Sequence, residues 1–167
     1  DQSQKPDVLL FSPCDGIGEV AYTLRRLMHL QVACYGSEIL PEAIRVTATH
    51  NPDDPQLGDI TAVSDQTLQE VVDKASASGH ILYAAGTPCQ DNSVLKGDGR
   101  LGLLGEKSGL LYKCASVKRR LEKISKKNGV TVYVLFENVA GTSEDDVFNM
   151  QSDMETRAPT HVDAEEA

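Results

Sequence analysis

The chain has 167 residues, of which 40% are hydrophobic and 25% charged, and it carries a formal net charge of −9. This length suits one domain with a buried core, and the balanced composition is that of a globular protein rather than a disordered one. No apolar run approaches the length of a membrane span and no signal-peptide pattern opens the chain, so we expect neither a membrane protein nor a secreted one.

The sequence alternates short apolar runs with segments of helical periodicity. Strands are predicted at residues 7–12, 31–38, 56–60, 80–86 and 130–137, with a further short strand near 160–162. Strands that alternate with helices indicate an α/β fold, in which right-handed βαβ units build a mostly parallel sheet flanked by helices.

The predicted helices carry apolar stripes and recognisable ends. The first has Val20, Leu24, Leu27 and Met28 on one face. The second begins at Pro41 and ends before residues 51–52, an Asn-Pro pair. A third helix is predicted to begin after Asp65, which would cap it. A fourth carries an apolar stripe from residue 110 to 124, and a last helix is predicted over 143–154.

Charge is unevenly distributed along the chain. Basic residues crowd 113–127 and acidic residues crowd 144–166. A negative net charge argues against a nucleic-acid partner, but the uneven distribution leaves that question open. We interpret the two clusters as a solvated helix face and a solubilising tail, with residues 151–167 as an acidic terminal segment.

Chemically suggestive residues follow the ends of the predicted strands. In a parallel sheet these ends share one edge, where ligands of α/β proteins bind. The residues are Asp15 and Gly16, Glu38, Asp59, Pro88 and Cys89, and Glu137 and Asn138.

The turn "CDGIGEV" at residues 14–20 places two glycines between a strand and a helix, which lets a ligand approach the backbone. Glu38, about twenty residues on, stands where a carboxylate accepts hydrogen bonds from ribose hydroxyls. Asp59 could accept from an adenine amino group while Ile60 packs on the ring. Together they favour a nucleoside-containing cofactor over an ordinary tight turn.

Cys89, in "AAGTPCQDNS", could be a buried filler, half of a disulfide, a metal ligand or a nucleophile. The four cysteines form no C-x-x-C pair and the histidines are scattered, so neither a metal site nor a disulfide framework is expected. Polar residues directly after Cys89 argue against a core position, which we expect instead for Cys14, Cys34 and Cys114. A nucleophilic thiolate remains, with Glu137 as its partner, buried at the end of a hydrophobic strand and able to donate a proton.

Five segments of the chain, taken in order, resemble motifs of the C5-cytosine DNA methyltransferases. "FSPCDGIG" is similar to their first cofactor motif, "SEILPEAIRVTATHN" to the second, "GDI" to the third, "GTPCQDNS" to the catalytic Pro-Cys motif and "FENVAG" to the Glu-Asn-Val motif. The resemblance covers residues 8–140 and is closest to the animal de novo branch, in which a Phe stands at the position of Cys14.

The resemblance implies a Rossmann-like core that uses S-adenosylmethionine without a metal and produces S-adenosylhomocysteine. Cys89 would attack C6 of a flipped-out cytosine, Glu137 would bond to the N3 side of the ring, and the methyl group would enter at C5. Pro88 would fix the catalytic loop and Asn138 would hold it. The cofactor contacts would come from Asp15, Gly16, Ile17, Gly18, Glu38, Ile39, Asp59, Ile60 and Pro88.

The family's arginine motif, target-recognition region and final cofactor motif are not found in the chain. We therefore expect residues 1–167 to be a single, partial methyltransferase domain that is truncated before the arginine motif. It would bind duplex DNA weakly and turn over slowly or not at all unless related subunits or a missing segment complete it. The expected location is the nucleus in a eukaryote and the cytoplasm otherwise.

Two other functions fit the same residues. A tRNA cytosine-5 methyltransferase would share the Pro-Cys and Glu-Asn-Val chemistry. A non-catalytic, cofactor-binding or dimerising regulator would need neither Cys89 nor Glu137.

Overall fold

A computed structural model describes residues 5–87, 110–138 and 142–160 of the chain. In this part, the strands form one parallel sheet in the order β2-β1-β3-β4. The strands are β1 (Val8–Pro13), β2 (Val32–Ser37), β3 (His80–Gly86) and β4 (Thr131–Glu137). The α/β architecture and the parallel sheet are confirmed.

Helices cover both faces of this sheet. They are α1 (Glu19–Arg26), α2 (Pro41–His50), α3 (Asp65–Ala75), α4 (Leu110–Lys127) and α5 (Glu144–Met154). The larger core cluster joins one face of the sheet to α3, α4 and α5, and a smaller cluster joins the other face to α1. None of the helices in the described part combines the length and apolar character that a membrane crossing requires.

The central strand β1 is buried on both faces. Leu9 and Phe11 belong to the larger core cluster, whereas Leu10 between them belongs to the smaller one. Alternate side chains of a strand point to opposite faces, so a strand between two helix layers must be apolar throughout. This explains why a continuous apolar run predicted β1 correctly.

The predicted strand at residues 56–60 is wrong. The chain makes a single bridge to β2, between Gln56 and Gly36, with a hydrogen bond from the Leu57 N–H to the Gly36 carbonyl at 2.8 Å. Gly58 then turns the chain with a φ of 70°, and Asp59 caps a short 3-10 helix over Ile60–Ala62. Pairing with β2 therefore stops after one residue. The predicted strand near 160–162 lies largely outside the described residues, and Thr160 is not in a strand.

Two helix boundaries differ from the prediction. Ser64, not Asp65, caps α3, because its side chain accepts a hydrogen bond from the Thr67 N–H. Helix α1 ends at Arg26, so Leu27 and Met28 of the predicted apolar stripe lie beyond it and are exposed. The starts of α2 at Pro41 and of α5 after Ser143 agree with the prediction.

The prediction that the basic cluster is a solvated face is wrong at Lys118. This side chain is 1% exposed, and its ammonium group lies 3.0 Å from the Glu122 carboxylate and 2.9 Å from that of Glu155. The acidic cluster is likewise partly paired, since Asp153 lies 3.9 Å from Arg119. Helix α5 and the residue after it are thus joined to α4 by charge as well as by apolar packing.

Candidate active site

The candidate residues lie where the strands end. Because all four described strands are parallel, the residues after Pro13, Ser37, Gly86 and Glu137 share the carboxyl edge of the sheet. Asp15, Glu38 and Asn138 therefore lie at this edge, and their predicted roles stay predictions.

The turn after β1 depends on backbone conformations that favour glycine. Gly16 and Gly18 have φ values of 57° and 77°. A Cβ at Gly18 would lie 3.0 Å from the Thr47 side chain, whereas a Cβ at Gly16 would meet nothing within 4 Å. The turn is therefore packed closely on α2 at Gly18 and borders open space at Gly16, where a ligand could reach the backbone.

The Glu38 carboxylate organises this edge. Its Oε2 accepts a hydrogen bond from the Gly16 N–H at 2.9 Å. Its Oε1 accepts from the N–H groups of Ile39 and Leu40, at 2.7 and 2.9 Å. One carboxylate thus joins the glycine turn to the start of α2. Each carboxylate oxygen has two acceptor positions, so Glu38 keeps capacity for a ligand hydroxyl.

Asp15 has a different environment. Burial raises the pKa of this carboxyl, against the lowering effect of the neighbouring Ser12 and Gln56 side chains. Its Oδ1 is buried without a hydrogen-bond partner among the described residues. A Cβ at Gly36 would lie 2.8 Å from Asp15 Oδ2, so the glycine in β2 makes room for the carboxyl group. The Asp15 N–H donates to the Ser37 carbonyl and its carbonyl accepts from the Gly18 N–H, both at 3.0 Å, while its side chain lies against Gly36.

Asp59 and Ile60 differ in accessibility. Asp59 is exposed, and its Oδ1 accepts from the Thr61 N–H at 2.8 Å, a bond that lowers the pKa of the carboxyl. Ile60 is only 4% exposed and packs in the larger core cluster. Ile17 and Ile39 have 46% and 65% of their surface exposed and offer more apolar area at this edge.

Glu137 lies beside the strand that precedes Cys89. Gly86 and Glu137 are paired in the register of β3 and β4, and a Cβ at Gly86 would lie 3.3 Å from Glu137 Oε2. The prediction that Glu137 is buried is wrong, because β4 is the outer strand of the described sheet and Glu137 is exposed.

Asn138 bridges the ends of the same two strands. Its Nδ2 donates to Thr87 Oγ1 at 3.2 Å, and Thr87 is 4% exposed. Pro88 and Cys89 follow Thr87 directly but lie outside the described residues. Their predicted roles in the catalytic loop therefore stay predictions.

A core position was expected for three cysteines and is confirmed for two of them. Cys34 is 3% exposed in β2 and Cys114 is fully buried in α4. Cys14 is half-buried instead, with its Sγ 3.9 Å from that of Cys114. The described ranges contain no group of three or more His, Cys, Asp or Glu side chains arranged to hold a metal ion.

Three polar residues at this edge were not identified from the sequence. Thr47, in α2, donates from Oγ1 to the Gly16 carbonyl at 3.3 Å. Gln56 follows the single bridge to β2 and lies with Asp15 beside Gly36, and Thr87 accepts from Asn138. Their positions depend on contacts distant in sequence. Only Thr87, directly before the Pro-Cys pair, carried a local signal.

Comparison with known proteins supports the fold. No protein-family model matches the sequence, and no curated protein matches it. Among solved structures, the Dnmt2 methyltransferase of S. pombe aligns with 86% of this chain and 39% of its own, at 15% identity and a TM-score of 0.56. A triple mutant of DNMT2 from Spodoptera frugiperda aligns with 87% of this chain and 41% of its own, at 17% identity and a TM-score of 0.55.

The fold is that of a Rossmann-like methyltransferase. At these identities the likeness concerns the fold alone. The chain spans about two fifths of the length of these two neighbours.

The motif resemblance implies S-adenosylmethionine, and the described edge of the sheet has features that suit this molecule. Gly16 leaves open space beside the backbone, and Glu38 holds a carboxylate at the end of β2. Ile17 and Ile39 add exposed apolar surface of the kind that packs against an adenine ring. The acidic character of this edge also suits a cationic sulfonium ligand.

Proposed function

We propose that this chain is the catalytic core of a C5-cytosine methyltransferase that acts on DNA. The observation that carries the proposal is the position of Glu137, whose carboxylate lies against Gly86, three residues before Cys89. Covalent activation of cytosine requires a nucleophilic thiol and a carboxyl group that act together. Glu137 lies beside the segment that leads to Cys89, which would be that thiol. The ordered motifs from residue 8 to 140 support the same chemistry.

The proposed reaction begins with Cys89. C5 of cytosine is a poor nucleophile until a thiolate adds to C6 and disrupts the aromatic ring. Addition forms the S–C6 bond and moves an electron pair towards C5, while Glu137 stabilises the ring through its N3 side. S-adenosylmethionine, when bound, would supply an electrophilic methyl group that bonds to C5, and the sulfur–methyl bond would break to leave S-adenosylhomocysteine. Loss of the C5 proton to a base then breaks the S–C6 bond and frees Cys89.

The proposed roles at the cofactor edge follow from the hydrogen bonds there. Glu38 holds the Gly16 N–H and would accept from the ribose hydroxyls. Asp59 would accept from the adenine amino group. Ile60, expected to pack on the ring, is only 4% exposed, so we assign that role to Ile39, which is 65% exposed. The backbone from Asp15 to Gly18 would approach the cofactor at the open side of Gly16.

A covalent trap tests this function. DNA that contains 5-fluorocytosine blocks the final elimination, so the chain should form a stable adduct when S-adenosylmethionine is present. Cys89→Ala should abolish the adduct, whereas Cys34→Ala, which removes a buried thiol on β2, should leave it. Absence of any adduct, even with all related subunits supplied, would favour the non-catalytic regulator.

The nucleic-acid substrate needs a separate comparison. Methyl transfer from labelled S-adenosylmethionine to duplex DNA and to tRNA should be measured with the same preparation. Transfer to DNA supports the proposal, and transfer to tRNA alone would replace it by the tRNA methyltransferase. The placement nearest the animal de novo branch and a nuclear location belong to the same proposal.

A further inference from the structure

We propose that Cys14 and Cys114 form a reversible dithiol–disulfide site that fastens the glycine turn after β1 to helix α4. The two Sγ atoms are 3.9 Å apart, although 100 residues separate them in sequence. Both side chains belong to or pack against the larger core cluster. The consequence for the cofactor rests on the function proposed above, but the cross-link itself does not.

The backbone brings Cys14 to its partner. Cys14 follows β1 directly and has a φ of 57°, a conformation that L residues other than Asn and Asp rarely adopt. Cys114 lies in α4, where its carbonyl accepts a hydrogen bond from the buried Tyr83 hydroxyl at 2.7 Å. One sulfur therefore sits on the turn that would hold the cofactor, and the other on a helix fixed to β3.

The two thiols differ in reactivity. A hydrogen bond with Cys114 lowers the pKa of Cys14 in spite of its partial burial, whereas the same contact and burial raise the pKa of Cys114. Cys14 is also the more exposed of the two. It is therefore the thiol that meets an oxidant first, and Cys114 is the resolving thiol.

A peroxide is the oxidant class that this arrangement fits. The Cys14 sulfur attacks one peroxide oxygen, the O–O bond breaks, and a sulfenic acid and one water form. The Cys114 sulfur then attacks the Cys14 sulfur, the S–O bond breaks, and hydroxide leaves with the Cys114 proton as a second water. The pair loses two electrons and the peroxide gains them. A cellular thiol such as glutathione reverses the step.

Closure of this bond would disturb the cofactor turn. A disulfide requires sulfurs about 2.05 Å apart, so the two Sγ atoms, now 3.9 Å apart, must approach by about 1.9 Å through side-chain rotation together with any movement of the turn. Gly16, two residues from Cys14, is held by the Glu38 carboxylate and by Thr47. Movement of Cys14 strains these bonds, so oxidation should weaken cofactor binding.

The first test maps the linkage in the full chain carrying Cys89→Ser, which leaves three thiols. After hydrogen peroxide treatment and non-reducing digestion, mass spectrometry should find the peptides of Cys14 and Cys114 joined and lighter by two hydrogens. Cys34→Ser should keep this link, because Cys34 lies in the smaller core cluster on the other face of the sheet. Cys14→Ser should lose it. Absence of the link in the Cys89→Ser chain overturns the proposal.

The second test follows the turn and the cofactor. In the oxidised chain, hydrogen exchange over residues 14–18 should change relative to the reduced chain. Its affinity for S-adenosylmethionine should be about tenfold lower, within the usual range of coupling between sites, and reductant should restore it. Equal exchange and equal affinity in both forms overturn the proposal. If the reduced chain fails to bind the cofactor, the proposed function fails while the linkage map and the exchange data still decide this site.

Discussion

At the scale of single residues, Asp15 occupies a position where burial and charge oppose each other. Burial raises the pKa of its carboxyl group, so the native state binds a proton more tightly than the unfolded chain does. Above that raised pKa, the folded protein carries a desolvated carboxylate that destabilises it. Below the pKa of the unfolded chain, the carboxyl is neutral in both states and this effect is absent.

Asp15→Asn should therefore raise the thermal midpoint at neutral pH by a few degrees. Gln56, beside Asp15, has both side-chain amide atoms buried without a hydrogen-bond partner among the described residues, so an amide at position 15 can accept from Gln56 Nε2 or donate to Gln56 Oε1. The gain should shrink as the pH falls through the raised pKa of Asp15. Thermal denaturation of both proteins between neutral and acidic pH checks this, and a gain that stays constant with pH would contradict it.

Thr87 makes a second prediction at this scale. Thr87→Val removes the acceptor for Asn138 from a buried position while it preserves side-chain volume. A typical hydrogen bond contributes about 1 kcal/mol, so the rate of methyl transfer should fall by about fivefold if the bond positions the segment that begins at Pro88. The affinity for S-adenosylmethionine should be nearly unchanged. Thr87→Ser retains the hydroxyl and should behave like the parent chain in single-turnover assays.

At the scale of elements, Lys118 links α4 to the end of α5. Its ammonium group is buried between Glu122 and Glu155, which are more exposed at 32% and 59% of their side-chain surface. Loss of its counter-ions costs a buried ammonium group more free energy than loss of the lysine costs the exposed carboxylates. The stability of this contact therefore depends on the presence of at least one acidic partner.

The double replacement Glu122→Gln with Glu155→Gln should lower the free energy of unfolding by about 2 kcal/mol, less than for a fully buried pair because both carboxylates touch water. In a Lys118→Met background, the same two replacements should have little effect. Urea denaturation of the four proteins measures this coupling. Equal losses in both backgrounds would show that Lys118 does not need its counter-ions.

Glu155 adds a pH dependence to the same contact. Hydrogen bonding and charge at Lys118 hold the pKa of Glu155 below its ordinary value. Its contribution to stability is thus complete at neutral pH and is lost as the pH falls through that lowered pKa. The difference in thermal midpoint between the parent chain and Glu155→Gln should disappear on acidification.

The sequence predicted the elements where local pattern and burial agree. All four described strands were predicted. The apolar runs of β1 and β3 are mostly buried, whereas β4 has alternating exposed side chains and was predicted from its β-branched and aromatic residues. The strand at 56–60 failed because Gly58 and the Asp59 cap redirect the chain after one bridge. Lys118 lies on the buried stripe of α4 with Cys114 and Leu121, so periodicity carried a signal that its charge obscured.

At the scale of the whole molecule, the site is assembled from four strand ends that are far apart in sequence. The motifs indicated which residues would meet, since a parallel sheet collects them at one edge. They did not indicate that Glu137 would be exposed, because that depends on β4 being the outer strand of the described sheet. Nor did they indicate the contact between Cys14 and Cys114, which arises only when α4 packs on the sheet.

The net charge of −9 leads to a prediction for the whole chain. Of the basic residues on α4, Lys118, Arg119 and Arg120 are paired with acidic side chains, so they add little to any DNA-binding surface. The chain alone should bind duplex DNA with a dissociation constant no tighter than the micromolar range at physiological salt. Fluorescence anisotropy measures this. Nanomolar binding by the isolated chain would contradict it.

The burial of Lys118 also makes it a chemical sensor of the α4–α5 contact. Amine-directed labels modify exposed lysines readily, but the Lys118 ammonium group becomes accessible when α5 and Glu155 move away from α4. The rate of Lys118 labelling, read by mass spectrometry against that of exposed Lys123, would therefore report how often this end of the molecule opens. A probe already present in the sequence could thus follow local opening without an introduced fluorophore.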